Sequence, residues 1–316
     1  MNESAEAARG VGALLDGDPG ALARAISEVE RASETGRALL AAIQAHLGRA
    51  RVVGFTGVPG AGKSTLVSRY VGVLRRGGHR VGVVAVDPSS PFSGGAVLGD
   101  RIRLAEHACD EGVFVRSLAS RGHAGGLAPT ATQVVDLMDA AGWDRIVVET
   151  VGTGQGEIDV ADSSDVCVVV CAPGLGDDVQ TLKAGILEIA EVLVVNKGDL
   201  AGAQRTYAQL QSMLALRSEA ARDVDVCTTI ASTGEGVDAL ASLIEARLDA
   251  AEPGRARSAQ RMRRQLAAAA GHLLTRELRD RDAPWLSELC TALQRGELDL
   301  QSAARRVLSS GKLADE

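Results

Sequence analysis

The eight residues Gly57-Val58-Pro59-Gly60-Ala61-Gly62-Lys63-Ser64 constrain this chain most, because they fit G-x-x-x-x-G-K-[ST] between an apolar run, Val52 to Thr56, and a helical stretch, Leu66 to Leu74. Strand, glycine-rich turn and helix in that order curl the backbone so that successive N–H groups point inward. The helix adds the positive end of its dipole, and a phosphate is the natural occupant. On this reading the loop from Gly57 through Ser64, with Thr65 beside it, binds a nucleotide. Lys63 acts as a catalytic group on the β and γ phosphates, and the Ser64 hydroxyl ligates Mg²⁺.

The remaining pattern supplies the matching scaffold. Apolar runs at Val81 to Val86, Val113 to Val115, Arg145 to Glu149, Val166 to Cys171, Val192 to Asn196 and Val224 to Thr228 are continuous rather than alternating. Such strands are buried on both faces, which predicts an α/β P-loop fold with a doubly wound, mostly parallel sheet. Before it, Ala5 to Leu47 has helical spacing, broken at Gly17-Asp18-Pro19-Gly20. After Glu252-Pro253-Gly254 the chain turns to helix through Arg257 to Arg281, Pro284 to Arg295 and Leu298 to Leu308. The expected organisation is a helical extension over 1–48, a nucleotide-binding domain over 49–252 and a helical region over 253–316.

Carboxylates at strand ends facing the loop are the natural further suppliers of oxygen to Mg²⁺, and Asp87, Glu149 and Asp100 fit. Glu149 and Asp100 are also catalytic candidates, Asp100 for orienting the attacking water. Gly152 sits where a backbone N–H could sense the γ-phosphate, making its turn a candidate switch. Gln155 is a weaker candidate for the water, and a surface glutamine is the plainer reading. Asn196-Lys197-Gly198-Asp199 follows an apolar strand at the carboxyl edge of the sheet, where ligands of such folds collect. The Asp199 carboxylate can accept from guanine N1–H and its 2-amino group. Adenine offers no such donor pair, so discrimination of roughly 10⁴-fold favours GTP over ATP. Lys197 can cover the base, Asn196 can tie this loop to the phosphate loop, and Ala231 with Ser232 can bring backbone to guanine O6.

Composition excludes other classes. Aromatic residues make up 2% of the chain and the formal charge is −7, which argues against nucleic-acid binding. The five cysteines are scattered without zinc-site spacing and read as reduced thiols. No basic segment leads an apolar stretch, and none has membrane-spanning length, so a cytoplasmic protein is expected.

The order of these motifs resembles the MeaB/ArgK family of G3E-type P-loop GTPases, related to the human MMAA protein. The resemblance is carried by Gly54 to Thr65, Val86-Asp87-Pro88-Ser89-Ser90-Pro91, Gly94 to Arg101, Arg121 to Leu127, Glu149 to Gly152, Pro173 to Gln180 and Asn196 to Asp199. It implies a homodimeric GTPase binding GTP or GDP with Mg²⁺ that attends an adenosylcobalamin-dependent acyl-CoA mutase, most familiarly methylmalonyl-CoA mutase. It further implies that the C-terminal helices supply the dimer contact, and that Asp177, Gln180 and Lys183 belong to a third switch relaying nucleotide state to the mutase. Where some members read Gln-Gly-Ile-Lys-Lys-Gly, this chain has Gln180-Thr181-Leu182-Lys183-Ala184-Gly185. The alternative reading is a metallochaperone GTPase delivering nickel or cobalt, as related G3E proteins do.

Overall fold

The computed structural model describes residues 10–87, 105–119, 129–150, 157–174, 189–215, 224–251, 259–280 and 283–309. It divides into two units, Met1–Ser258 and Ala259–Glu316.

In the first unit the Val/Ile-rich runs become β1 (Arg51–Gly57), β2 (Val81–Asp87), β3 (Val113–Ala119), β4 (Arg145–Thr150), β5 (Val166–Cys171), β6 (Val192–Val195) and β7 (Asp225–Thr228). They form one sheet of order β3-β2-β4-β1-β5-β6-β7, and every neighbouring pair is parallel. The helices include α1 (Pro19–Glu30), α2 (Glu34–Ala42), α3 (Lys63–Arg76), α4 (Pro129–Ala140), α5 (Glu157–Ser163), α6 (Ala203–Ala215) and α7 (Val237–Ala250). Strand residues alternate between two cores. Val53, Phe55, Val81, Val83 and Val147 pack with α3, α6 and α7. Val52, Val84, Val86, Ile146 and Val148 pack with α1, α2 and α4. Both faces are covered, which is why the strands read as unbroken apolar runs. This is the doubly wound parallel sheet that the sequence predicts.

The N-terminal stretch is broken once more than its periodicity suggests. Gly17 turns with φ 80° and Asp18 caps α1. A second break follows at Arg31–Ser33, where Ala32 has φ 54° and Ser33 Oγ accepts from Gly36 N at 2.9 Å while donating to the Glu28 carbonyl at 3.1 Å. Apolar spacing alone cannot separate one long helix from two short ones. The turn lets both bury Leu22, Ile26, Leu39 and Ile43 in the same core.

Carboxylates tie down the amino edge of the sheet. Asp139 accepts from the N–H groups of Arg49 and Ala50 at 3.1 and 2.8 Å. Asp165 and Glu191 accept from Val52 N and Cys167 N at 2.8 and 2.7 Å. N–H groups at this edge that no strand partner reaches are thereby satisfied.

The second unit holds α8 (Ala259–Asp280), α9 (Pro284–Gln294) and α10 (Leu300–Ser309). Pro284 starts α9, and Asp299 caps α10 by accepting from Ser302 N at 3.0 Å. Hydrogen bonding from the Ser302 side chain, and then from its backbone N–H, holds the Asp299 carboxyl below its ordinary pKa. Met262 and Leu266 on α8, and Leu300 and Leu308 on α10, are exposed. No helix of the described residues is long and apolar enough to cross a membrane.

Candidate functional site

The central strand β1 delivers the glycine-rich loop at the carboxyl edge of the sheet, and α3 carries it away. Gly57 has φ 129°, and a Cβ there would lie 2.0 Å from the Val170 carbonyl oxygen, so only glycine lets the loop leave between β1 and β5. Gly62 turns with φ 86° directly before α3, where a Cβ would meet Asn196 Nδ2 at 2.5 Å. The N-cap residue of α3, Gly62, has no side chain with which to cap its first turn. Its N–H groups and dipole therefore face the loop, the arrangement that holds an anion.

Three buried polar residues surround that turn. Lys63 Nζ donates to the carbonyls of Gly57 at 2.9 Å and Val58 at 3.0 Å, which keeps the ammonium at the loop. Ser64 Oγ donates to Glu149 Oε1 at 2.6 Å, with both side chains almost wholly removed from solvent. A hydroxyl and a carboxylate so placed are hard oxygen donors, the chemistry Mg²⁺ prefers, so the residues present fit that ion. Beside them, Thr150 Oγ1 donates to Thr56 Oγ1 at 3.0 Å, linking the ends of β4 and β1. Asp87 closes β2, next to β4, and its side chain lies outside the described residues.

The base end is built around Asn196, just beyond β6. Its Nδ2 donates to the Ala61 carbonyl in the phosphate loop at 2.8 Å, while its Oδ1 accepts from Thr229 Oγ1 at 3.1 Å and Ala231 N at 3.0 Å. One carboxamide thus joins three loops. Ala231 N–H, expected to face a base oxygen, is engaged by Asn196. Lys197 sits at φ 58°, a left-handed conformation that costs an L residue about 1–2 kcal/mol. The next peptide holds it there, Gly198 N donating to the Thr229 carbonyl at 2.9 Å. Asp199 presents an exposed carboxylate at the end of this turn, and Ser232 is exposed beyond Ala231.

The structure therefore brings together Gly57 to Thr65, Glu149, Asn196, Lys197, Asp199, Ala231 and Ser232. Asp100, Gly152, Gln155, Asp177, Gln180 and Lys183 lie outside the described residues. Sequence reasoning missed Thr56, Thr150 and Thr229. A hydroxyl residue closing an apolar strand at the ligand edge was the available signal for each. It also missed Arg69, whose Nε donates to the Ala231 carbonyl at 3.3 Å and Nη2 to that of Ser232 at 3.2 Å. Among the described residues, no group of three or more His, Cys, Asp or Glu is placed to hold a metal ion.

A family model described as Methylmalonyl Co-A mutase-associated GTPase MeaB matches residues 22–283. A Pyrococcus abyssi protein is 47% identical over 231 residues, spanning 72% of this chain and 71% of its own. The Escherichia coli GTPase ArgK is 41% identical over 203 residues, 63% of this chain and 61% of its own. The crystal structure of a LAO/AO transport system kinase matches with a TM-score of 0.72 at 26% identity, covering 98% of each chain.

Proposed function

The chain belongs to the MeaB family of methylmalonyl-CoA mutase-associated GTPases and is itself a GTPase. From that premise we propose that it hydrolyses GTP slowly to gate cofactor loading, protection or reactivation of an adenosylcobalamin-dependent acyl-CoA mutase, methylmalonyl-CoA mutase foremost. The observation that carries the nucleotide reading is the Asn196 carboxamide, bonded at once to the phosphate loop and to the loop after β7. It makes phosphate binding and base binding properties of one site.

In this reading the backbone of Gly57 to Thr65 receives the phosphates, and Lys63 turns its ammonium from the Gly57 and Val58 carbonyls to the β and γ oxygens. Ser64 and Glu149, with Asp87 and Asp100, would hold Mg²⁺, which when bound neutralises charge on the phosphate oxygens. Asp199 accepts from guanine N1–H and its 2-amino group, and Lys197 lies along the base. The Ser232 N–H, next along the chain from the engaged Ala231 N–H, approaches guanine O6. Asp100 orients the attacking water, and Gly152 N–H senses the γ-phosphate. Asp177, Gln180 and Lys183 relay that state to the mutase.

The proposed organisation is a helical extension over 1–48, a GTPase domain over 49–252 and a dimerisation region over 253–316 in a cytoplasmic homodimer. The mutase partnership is supported by the family description.

The test is GTP hydrolysis by the purified protein, alone and with methylmalonyl-CoA mutase from the same source, with ATP as control and Lys63→Ala as the inactive variant. The expected result is slow turnover with GTP only, stimulated by the mutase and lost in Lys63→Ala. Turnover above about 10 s⁻¹ without a partner would sink the regulatory reading. GTP hydrolysis indifferent to the mutase would remove that partner.

A further inference from the structure

Arg69 lies on α3 beyond the phosphate-facing turn, and its guanidinium reaches the loop after β7. Its Nε and Nη2 donate to two successive carbonyls, those of Ala231 and Ser232, at 3.3 and 3.2 Å. Its Nη1 stands 4.0 Å from Glu106 Oε2. A planar fork that reads two consecutive carbonyls fixes the peptide between them in position and in tilt, which a flexible point charge cannot do. From the other side, Asn196 Oδ1 holds the same segment through Ala231 N–H and Thr229 Oγ1. The rest of the turn closes on itself, Ile230 N donating to the Glu235 carbonyl and Gly234 N to that of Ile230, both at 2.9 Å. Residues 229–232 are thus gripped between the base loop and the helix whose first turn forms the phosphate site.

We propose that Arg69 is a positioning residue for guanine recognition: by fixing the Ala231–Ser232 peptide, it holds the loop beside Asn196 and Lys197 in the form that receives the base. The inference rests on reading this site as a guanine-nucleotide site. It assigns to the phosphate-loop helix a second task, directed at the opposite end of the ligand. Arg76 provides the comparison, since it also extends from α3 but pairs with Asp238 on α7, at 2.8 Å and exposed, instead of with the carbonyls of the loop.

The experiment uses the full-length protein and two probes, a fluorescent GDP analogue and inorganic tripolyphosphate, the latter binding without a base. Arg69→Ala is expected to raise the GDP dissociation rate about 5- to 10-fold, the effect of two charge-assisted hydrogen bonds discounted for the half-exposed guanidinium. Arg69→Lys, able to serve one carbonyl, falls between, and Arg76→Ala matches the parent. Tripolyphosphate affinity stays unchanged in all three. A parent-like GDP dissociation rate in Arg69→Ala overturns the proposal. So does an equal loss of tripolyphosphate binding, which would mean that Arg69 merely supports α3. A parent protein with no preference for GDP over ADP overturns the guanine reading itself, and the proposal with it.

Discussion

Replacing Asn196 by alanine removes the joint between the two ends of the site, and the cost follows from its partners. The side chain makes hydrogen bonds of 2.8, 3.1 and 3.0 Å to Ala61 O, Thr229 Oγ1 and Ala231 N, and all three residues are buried. Neither backbone partner can adapt, since a carbonyl only accepts and an N–H only donates. Each stranded partner costs about 1–3 kcal/mol, and because the three share one residue their sum is about 3–5 kcal/mol rather than the full total. Against a stability of about 5–15 kcal/mol for a folded domain, that is a large fraction. Urea unfolding of nucleotide-free protein measures it. Trp143, buried in the first unit, serves as reporter in a Trp285→Phe background that silences the second unit. The midpoint should fall by about 1 M or more. Thr229→Val, which removes a single bond, should cost about 1 kcal/mol. A shift for Asn196→Ala smaller than that of Thr229→Val would refute the reasoning, because the carboxamide would then not be what joins the loops.

Three other outcomes are expected. Glu149→Gln keeps an oxygen for Ser64 Oγ but loses the charge, so the fold should survive while the Mg²⁺ concentration for half-maximal hydrolysis rises at least about tenfold; an unchanged Mg²⁺ requirement would place Glu149 outside the metal's surroundings. Gly54→Ala puts a Cβ 2.3 Å from Val160 Cγ1 and 2.9 Å from Ser164 Oγ. It should lose about 1–3 kcal/mol in thermal melts, with partial recovery on adding Val160→Ala, and additive losses would contradict the clash. The paired guanidinium of Arg75 holds the Asp110 carboxyl below its ordinary pKa of 3.8, so its contribution is complete above that value and is lost as pH falls through the lower native one. Asp110→Asn should therefore be less stable than the parent at about pH 7, with the gap narrowing as pH falls below the ordinary carboxylate range in urea titrations, and a gap of constant size would rule out that linkage.

The elements most legible in the sequence are those whose signal is local. β4 and β5 announce themselves as runs rich in Val and Ile because both faces are covered, and the Gly57–Ser64 loop because its backbone tolerates few alternatives. The turn at Ala32 was not legible, since one left-handed residue between two amphipathic stretches leaves the periodicity intact. Asn196 could be suspected from its neighbours in Asn196-Lys197-Gly198-Asp199. Its partners Ala61 and Ala231 are far from it in sequence and carry no side-chain chemistry to mark them. Arg69 was invisible for the same reason. It bonds to carbonyls, which every residue has, and an arginine on a helix surface ordinarily points to water.

The position of β1 at the centre of the sheet also dictates when the site can exist. Its registers run to β4 through Arg51 and Arg145, and to β5 through Val53 and Val166. At cellular synthesis rates the two neighbours are delivered on the order of ten seconds after β1 itself, so a nascent chain carries the phosphate motif long before anything holds it in place. Asn196 arrives later still. A ribosome-stalled chain ending within β5 should thus show the glycine-rich loop to proteases and take up no nucleotide, and the first retention of GDP would date the moment when the sheet has closed around its oldest strand.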